Sequence, residues 1–309
     1  QEVLLVVYRI LFLLYAEQRG MLPASGLYAE TYSLARLRDV VESGGYDPTR
    51  SDLYEGLKLT FRLLGHGSEE LGLFAYNGAL FDEKRTPVMS GSTCTNREVA
   101  RATRSLTTVT VERVRQFVNY RELGVEELGA VYEALLDYTP RIATQSVVVN
   151  ERTIPAGRLY LAPLSTERGD LGSYYTPPEV VSLVLEISLA PLVEERLRDA
   201  GADVEAQERA VLDLRVCDPA CGSAAFLVGA IDHLASRLAT VRAKGELPTE
   251  AEVQRARREV LQHCIYGVDK DPFAVELAKV ALWIHTAVED LPLNFLDHRI
   301  QHGDSLVGW

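Results

Sequence analysis

The sequence predicts an α/β fold: a doubly wound, mostly parallel sheet, preceded by a mainly helical domain. Three observations lead there. Beyond about residue 165, short apolar runs alternate with longer stretches of helical period. Two of those runs (Val211 to Val216 and Cys264 to Val268) and a third strand-like stretch, Arg299 to Gly303, are each followed by an acid, Asp218, Asp269 or Asp304. Residues 1 to about 145 carry helical stripes instead. Strands alternating with helices imply parallel pairing with helices on both faces. The expected division is 1–165, a helical scaffold ending in a hairpin, and 166–309, an α/β domain.

The elements follow in order. Val3 to Leu14 is strongly apolar but too short for a membrane span, and Arg9 interrupts it. It has neither the basic start nor the cleavage site of a signal peptide, so a buried core helix is expected. Ser51 or Asp52 is placed to cap a helix striped by Leu53, Leu57, Phe61 and Leu64, with Gly65 beyond its end. Gly78 and the stretch from Pro87 to Thr95 read as loop, the latter mobile. Leu128, Val131, Tyr132 and Leu135 fall at i, i+3, i+4 and i+7, the mark of an amphipathic helix. Val147–Val149 and Leu159–Leu161 are expected to pair around Pro155-Ala156-Gly157. Thr176 and Glu179 have capping-box spacing, ahead of a helix expected to bury Val180, Leu183, Val184 and Ile187. Thr249 and Glu252 repeat the box before a helix ending near His263.

Composition limits the partners. A chain of 309 residues holds two domains with real cores. Its net charge of −12 argues against its being the main DNA-gripping surface, since phosphate binding needs clustered Lys and Arg. Cys94, Cys217, Cys221 and Cys264 lack paired C-x-x-C spacing and read as reduced, buried thiols of an intracellular protein. Six scattered histidines show no metal spacing, and no metal is expected.

The densest chemistry lies at 211–228. Val211 to Val216 reads as a strand, Asp218 to Ser223 as a tight turn of small residues, and Ala224 onward as a helix. Such a turn brings backbone N–H groups and a helix N-terminus up to a polar ligand. Gly222 permits positive φ there. Asp218 stands where a dinucleotide fingerprint has its first glycine, and a carboxylate suits a cationic group such as an ammonium. Asp269 closes the second strand, the usual place for an acid that grips two ribose hydroxyls, with Pro272 opening the next helix. Asp304 closes the third. An ammonium, a ribose and an adenine amino group together describe S-adenosylmethionine. Each acid also has a plainer role: Asp218 and Asp269 as helix caps, Asp304 as a solvated surface group.

Here the chain resembles the adenine-N6 DNA methyltransferases with an amino-terminal cofactor signature, the Eco57I-type, gamma-class enzymes of restriction-modification and phage-defence systems. The resemblance is carried by Gly172-Ser173-Tyr174-Tyr175-Thr176-Pro177-Pro178, Gly222-Ser223, Gly267-Val268-Asp269 and His302-Gly303-Asp304-Ser305-Leu306. Weaker echoes lie at 75–82 and 123–132. It implies the sheet of S-adenosylmethionine-dependent methyltransferases. Tyr174 and Tyr175 would fold over the methionine end, although core aromatics are the commoner fate of such residues, and Thr176 would reach the carboxylate. Asp218 would meet the ammonium, with Ala220, Gly222 and Ser223 offering backbone groups. Asp269 would hold the ribose beside Lys270, and Asp304 the adenine amine, with Ser305 and Leu306 flanking the ring. Ala224 stands where many relatives have a third glycine.

One departure accompanies these matches. The family holds the flipped adenine with an Asn-Pro-Pro-Tyr-like tetrapeptide, which is absent from these 309 residues. The sequence starts at Gln1 inside an apolar helical pattern and stops at Trp309, so it reads as an internal piece of a larger protein or as one whose ends were removed; the resemblance implies the amino-terminal portion of a methyltransferase, inactive alone and without catalytic residues of its own. The resemblance implies methyl transfer to adenine N6 as self-marking, in the cytoplasm and without membrane association. The implied partners are double-stranded DNA, through the complete parent protein, and other defence-system subunits. Cytosine-N4 methylation is the nearest rival, and a non-catalytic cofactor-sensing or scaffold module is a rival of another class. A nicotinamide-dependent oxidoreductase is more distant, for want of the first glycine.

Overall fold

The computed structural model describes residues 2–76, 80–122, 138–149, 152–163, 176–244, 246–286 and 294–308. The helical part opens with α1 (Glu2–Gln18), which buries Leu5, Tyr8, Leu11, Phe12 and Tyr15. Arg9 is buried with them, its Nη1 donating to Thr86 Oγ1 at 3.0 Å and its Nη2 to the Asp82 carbonyl at 2.8 Å. Burial lowers its pKa to about 10, so the guanidinium keeps its charge at neutral pH. A π-helical turn (Tyr28–Tyr32) leads to α2 (Leu34–Ser43), capped by Ser33.

Next come α3 (Asp52–His66), α4 (Pro87–Gly91) and α5 (Asn96–Thr107), the last with a complete Thr95–Glu98 capping box. Three local expectations are corrected here. Ser51 occupies the N-cap position of α3, but its side chain makes no capping bond, and Asn96 Oδ1 accepts from Leu53 N instead at 3.0 Å. Gly65 lies inside α3, where its missing side chain admits the Phe81 carbonyl, and Gly67 at φ 77° ends the helix. Of the stretch from Pro87 to Thr95, Pro87–Gly91 is a short helix, because proline suits the first helical position, and residues 92–95 are loop as expected. The expected Gly78 loop and the 128–135 helix lie outside the described residues.

Two small β arms interrupt the helical pattern. The hairpin of β1 (Thr108–Val111) and β2 (Val114–Phe117) was not anticipated. Its turn residues Glu112 and Arg113 take φ values of 49° and 67°, as a two-residue turn matched to strand twist requires. Farther on are β3 (Tyr138–Ile142), β4 (Val147–Val149), β5 (Arg152–Ile154) and β6 (Leu159–Pro163). The expected pairing of 147–149 with 159–161 is replaced by two nested pairs, β4 with β5 and β3 with β6. The two residues between β4 and β5 make the nearer partner available, and β6 then returns to β3.

The C-terminal part alternates as predicted. Its elements are α6 (Pro178–Asp199), α7 (Val204–Leu212), β7 (Val216–Asp218), α8 (Ala225–Arg242), α9 (Glu250–Cys264), β8 (Ile265–Asp269), α10 (Pro272–His285) and β9 (Ile300–His302). The three strands form a parallel sheet in the order β7-β8-β9. The Thr249–Glu252 box is complete. The Thr176 box is not: Pro177 holds the cap position and Pro178 the first turn, so Thr176 stands one residue too early.

The face of α6 is also corrected. Val181, Leu189 and Val193 are buried, whereas Val180, Leu183, Val184 and Ile187 are exposed. Both sets fit a helical period. Gly229 of α8 selects between them, because a Cβ there would meet Val181 and Leu185 at under 3 Å. Leu227, Ile231, Leu234 and Leu238 of α8 are fully buried. The core continues into the helical part, where Trp283 of α10 stacks near Phe12 (5.0 Å between ring centroids) and edge-on to Tyr76 (5.6 Å). Among the described residues, no helix is long and apolar enough to cross a membrane.

Candidate functional site

The candidate site is built on the C-terminal ends of the three parallel strands, where ligands collect in open α/β sheets. Asp218 ends β7 and Asp269 ends β8, while Asp304 follows β9 by two residues. Parallel pairing brings all three carboxylates to one edge.

The glycine loop is held by Asp269. Its Oδ2 accepts Gly222 N–H at 2.8 Å, and its Oδ1 accepts Asp271 N–H at 2.9 Å. Cys221 N–H donates to the Val268 carbonyl at 2.9 Å, fastening the loop to β8 a second time. Asp271 is the N-cap of α10, accepting Phe273 N–H at 2.9 Å, so Asp269 is not that helix's cap. Asp218 Oδ1 accepts Ala220 N–H at 3.0 Å. Asp218 is not a helix cap either: α8 begins after Ala224, without a side-chain cap bond. Its first-turn amides therefore lack the side-chain acceptor that helices usually recruit.

Backbone shape fits this arrangement. Gly222 takes φ 51°, and no atom lies within 4 Å of the place a Cβ would fill. Ala224, fully buried, takes φ 75°, the conformation for which a glycine is the usual choice. Ser223 is half-buried and Ala220 exposed.

The third strand closes the edge. Asp304 Oδ1 accepts Leu306 N–H at 3.0 Å and Val307 N–H at 3.1 Å, and its Oδ2 lies 3.4 Å from Lys270 Nζ. The two backbone donors, followed by Lys270, hold its carboxyl below the ordinary range. Ser305 Oγ donates to the Pro219 carbonyl at 2.6 Å, joining the third strand's loop to the first's. Leu306 is exposed. Thr176 is half-buried two residues ahead of α6, and Tyr174 and Tyr175 lie outside the described residues.

The electrostatics invite a cation. Burial pushes the Asp218 carboxyl up, and the neighbouring Asp269 adds to the rise. The Cys221 thiol is pushed well above its usual range by burial and by both acids, so it stays neutral and packs where a Cβ on Gly267 would stand. Sequence reasoning missed His302, whose Nε2 lies 3.0 Å from the Lys270 carbonyl and joins the second and third loops. Its signal was its place in the motif around Asp304. Among the described residues, no group of three or more His, Cys, Asp or Glu is arranged to hold a metal.

Known proteins resemble the region that carries this edge. Residues 159–307 match the family model of the N-6 DNA methylases. A Methanocaldococcus jannaschii protein, named as a type II restriction enzyme and methyltransferase, is 27% identical over 227 residues, covering 61% of this chain and 17% of that protein. The adenine-specific methyltransferase PglX of Streptomyces coelicolor is 34% identical over 123 residues, covering 37% of this chain and 10% of the relative. The chain thus spans less than a fifth of the length of either curated relative. The type IIL restriction-modification enzyme MmeI, solved in complex with DNA, superposes with a TM-score of 0.53 at 18% identity, covering 92% of this chain and 33% of that one, a likeness of fold. Residues 159–307, the region that carries the three strand-end acids, thus match the N-6 DNA methylase family model, on a methyltransferase-like fold.

Proposed function

We propose that this chain is part of an enzyme that methylates adenine N6 in double-stranded DNA, using S-adenosylmethionine, as self-marking in a restriction-modification or phage-defence system. The observation that carries the reading is the edge where Asp218, Asp269 and Asp304 stand at the ends of three adjacent parallel strands, with Gly222 held against Asp269. Its residues suit this cofactor. A desolvated Asp218 is stabilised by an ammonium. The open space beside Gly222 leaves room for a ligand against backbone. Asp269 spends one lone pair of each oxygen on the loop and keeps acceptor capacity for ribose hydroxyls.

The cofactor supplies an electrophilic methyl group. The chain's own residues bind and orient it. Asp218 holds the ammonium, and Ala220, Gly222 and Ser223 line the methionine end with Tyr174, Tyr175 and Thr176. Asp269 and Lys270 take the ribose side. Asp304 accepts from the adenine amine, and Ser305 borders the ring. Lys270 must release Asp304 or share it, so cofactor binding competes with their ion pair.

The three strands would form one side of a doubly wound sheet, and residues 1–165 a scaffold for domain 166–309. The work would lie in the cytoplasm, on double-stranded DNA and with other defence subunits. The test is calorimetric titration with S-adenosylmethionine, followed by base-resolved methylation of DNA exposed to the complete protein. Methyl groups on adenine N6 support the reading. Methyl groups on cytosine N4 would replace the acceptor, and absence of cofactor binding would sink the proposal.

A further inference from the structure

We propose that α5 and the β1–β2 hairpin form a contact surface for the phosphate backbone of duplex DNA. The inference rests on the methyltransferase reading above and adds to it a surface outside the cofactor edge. Its basis is local charge. Residues 96–117 hold five arginines against two glutamates, a net +3 inside a chain of net −12. One of those glutamates, Glu98, is occupied by the capping box, accepting from Thr95 N–H at 2.8 Å and Thr95 Oγ1 at 2.9 Å.

The geometry gathers the arginines. Arg97, Arg101 and Arg104 fall at i, i+4 and i+7 on α5, one face of the helix, roughly 10 Å from first to last at 1.5 Å per residue. The hairpin continues directly from α5 and is pinned to the same neighbourhood. Glu42 of α2 meets Arg104 at 3.6 Å and also pairs with Arg115 of β2. The Arg38 guanidinium covers the Phe117 ring at 4.7 Å. Arg113 is thereby carried out on the hairpin turn.

Arg97, Arg101 and Arg113 are exposed, and none has an ion-pair partner among the described residues. Three exposed arginines free of ion pairs, with Glu98 held in the capping box and a two-stranded ribbon alongside, suit a polyanion with one charge per roughly 1.7 Å of axis. Contacts of this kind position a duplex and carry no sequence information.

The test compares the complete chain with the triple variant Arg97→Gln/Arg101→Gln/Arg113→Gln, using fluorescence anisotropy of a labelled duplex over a range of salt. A second triple variant, Arg196→Gln/Arg198→Gln/Arg255→Gln, removes the same charge from exposed positions elsewhere. Each phosphate contact contributes roughly 0.9 to the slope of log affinity against log salt. The first variant should lower that slope by about 2.7, equally for specific and scrambled duplexes, while the second leaves it unchanged. Circular dichroism should show both folded, because no internal ion pair is removed. The proposal is overturned by an unchanged slope in the first variant, by an equal drop in the second, by a loss confined to one sequence, or by an unmutated chain without salt-dependent duplex binding. Adenine methylation by the complete protein is scored separately. If it occurs and the slope is unmoved, the surface alone is wrong. If it fails while the slope responds, the methyltransferase reading is wrong and the DNA surface stands.

Discussion

Asp269 accepts Gly222 N–H and Asp271 N–H through different oxygens, so removing its carboxylate affects the loop as well as any ligand. Hydrogen bonds to a charged group contribute roughly 1.5–3 kcal/mol each. Asp269→Ala should weaken S-adenosylmethionine binding by at least about tenfold, one such bond being enough. It should also lower the melting temperature, because two backbone donors lose their acceptor. Titration calorimetry beside thermal melts checks this, and a variant that melts earlier but binds normally would make the acid purely structural. Asp218 gives a pH-dependent signature. Its carboxyl is raised by burial and then by Asp269, so the stability linked to it is fully present below the ordinary carboxylate range and is lost as pH rises through the raised value. Asp218→Asn should therefore stabilise the unliganded protein at neutral pH, with a gain that vanishes in acid, while weakening the cofactor by about tenfold or more. Melting curves across pH and a binding isotherm test both halves. A variant no more stable at neutral pH, or one that binds as before, would contradict the assignment. The three acids were legible because strand ends and acids recur together in the sequence. Gly222's bond to Asp269 was not, since it joins residues 47 apart and depends on the parallel pairing of β7 with β8.

At the scale of elements, what could be read was what local chemistry decides. The Thr249–Glu252 box and the start of α10 at Pro272 depend on neighbours in sequence, and both appear where expected. The buried face of α6 depends on Gly229 of another helix, and the first turn of α3 takes its acceptor from Asn96, 43 residues away from Leu53. No window of α6 or α3 holds that information. The β1–β2 hairpin was hidden because its Glu-Arg turn lacks the Asn-Gly or Asp-Gly signal that marks such turns. A local element also gives a clean test beside Asp269. Asp271→Ala removes the cap of α10 and should cost about 1 kcal/mol while leaving cofactor affinity within twofold or so. Chemical denaturation measures the cost. A large loss of affinity without loss of stability would show that the neighbouring acids have exchanged roles.

For the whole molecule, the sequence predicts two domains and the packing supplies a continuous core between them. Arg85 of the helical part pairs at 3.3 Å with Glu276, which is buried on α10, and Lys279 joins Glu276 to Asp297, just ahead of β9. The helical part thus grips the helix that follows Asp269, and that helix holds the turn ahead of β9. Trp283 is the apolar counterpart of that grip, packed between Phe12 and Tyr76 and 3% exposed. Apolar contact across such a junction makes separate melting of the two parts costly, since either part alone would expose the other's face to water. Trp283→Ala should cost about 3–5 kcal/mol, as large aromatics do when their cavity cannot collapse. The loss should reach both parts, with faster amide exchange in α1 as well as in α8 and α10. In the unmutated chain, tryptophan fluorescence and far-ultraviolet circular dichroism should report one coincident unfolding transition. Two separated transitions, or a Trp283→Ala variant in which α1 keeps its protection, would mean that the helical part stands by itself and that α1 merely rests against α10.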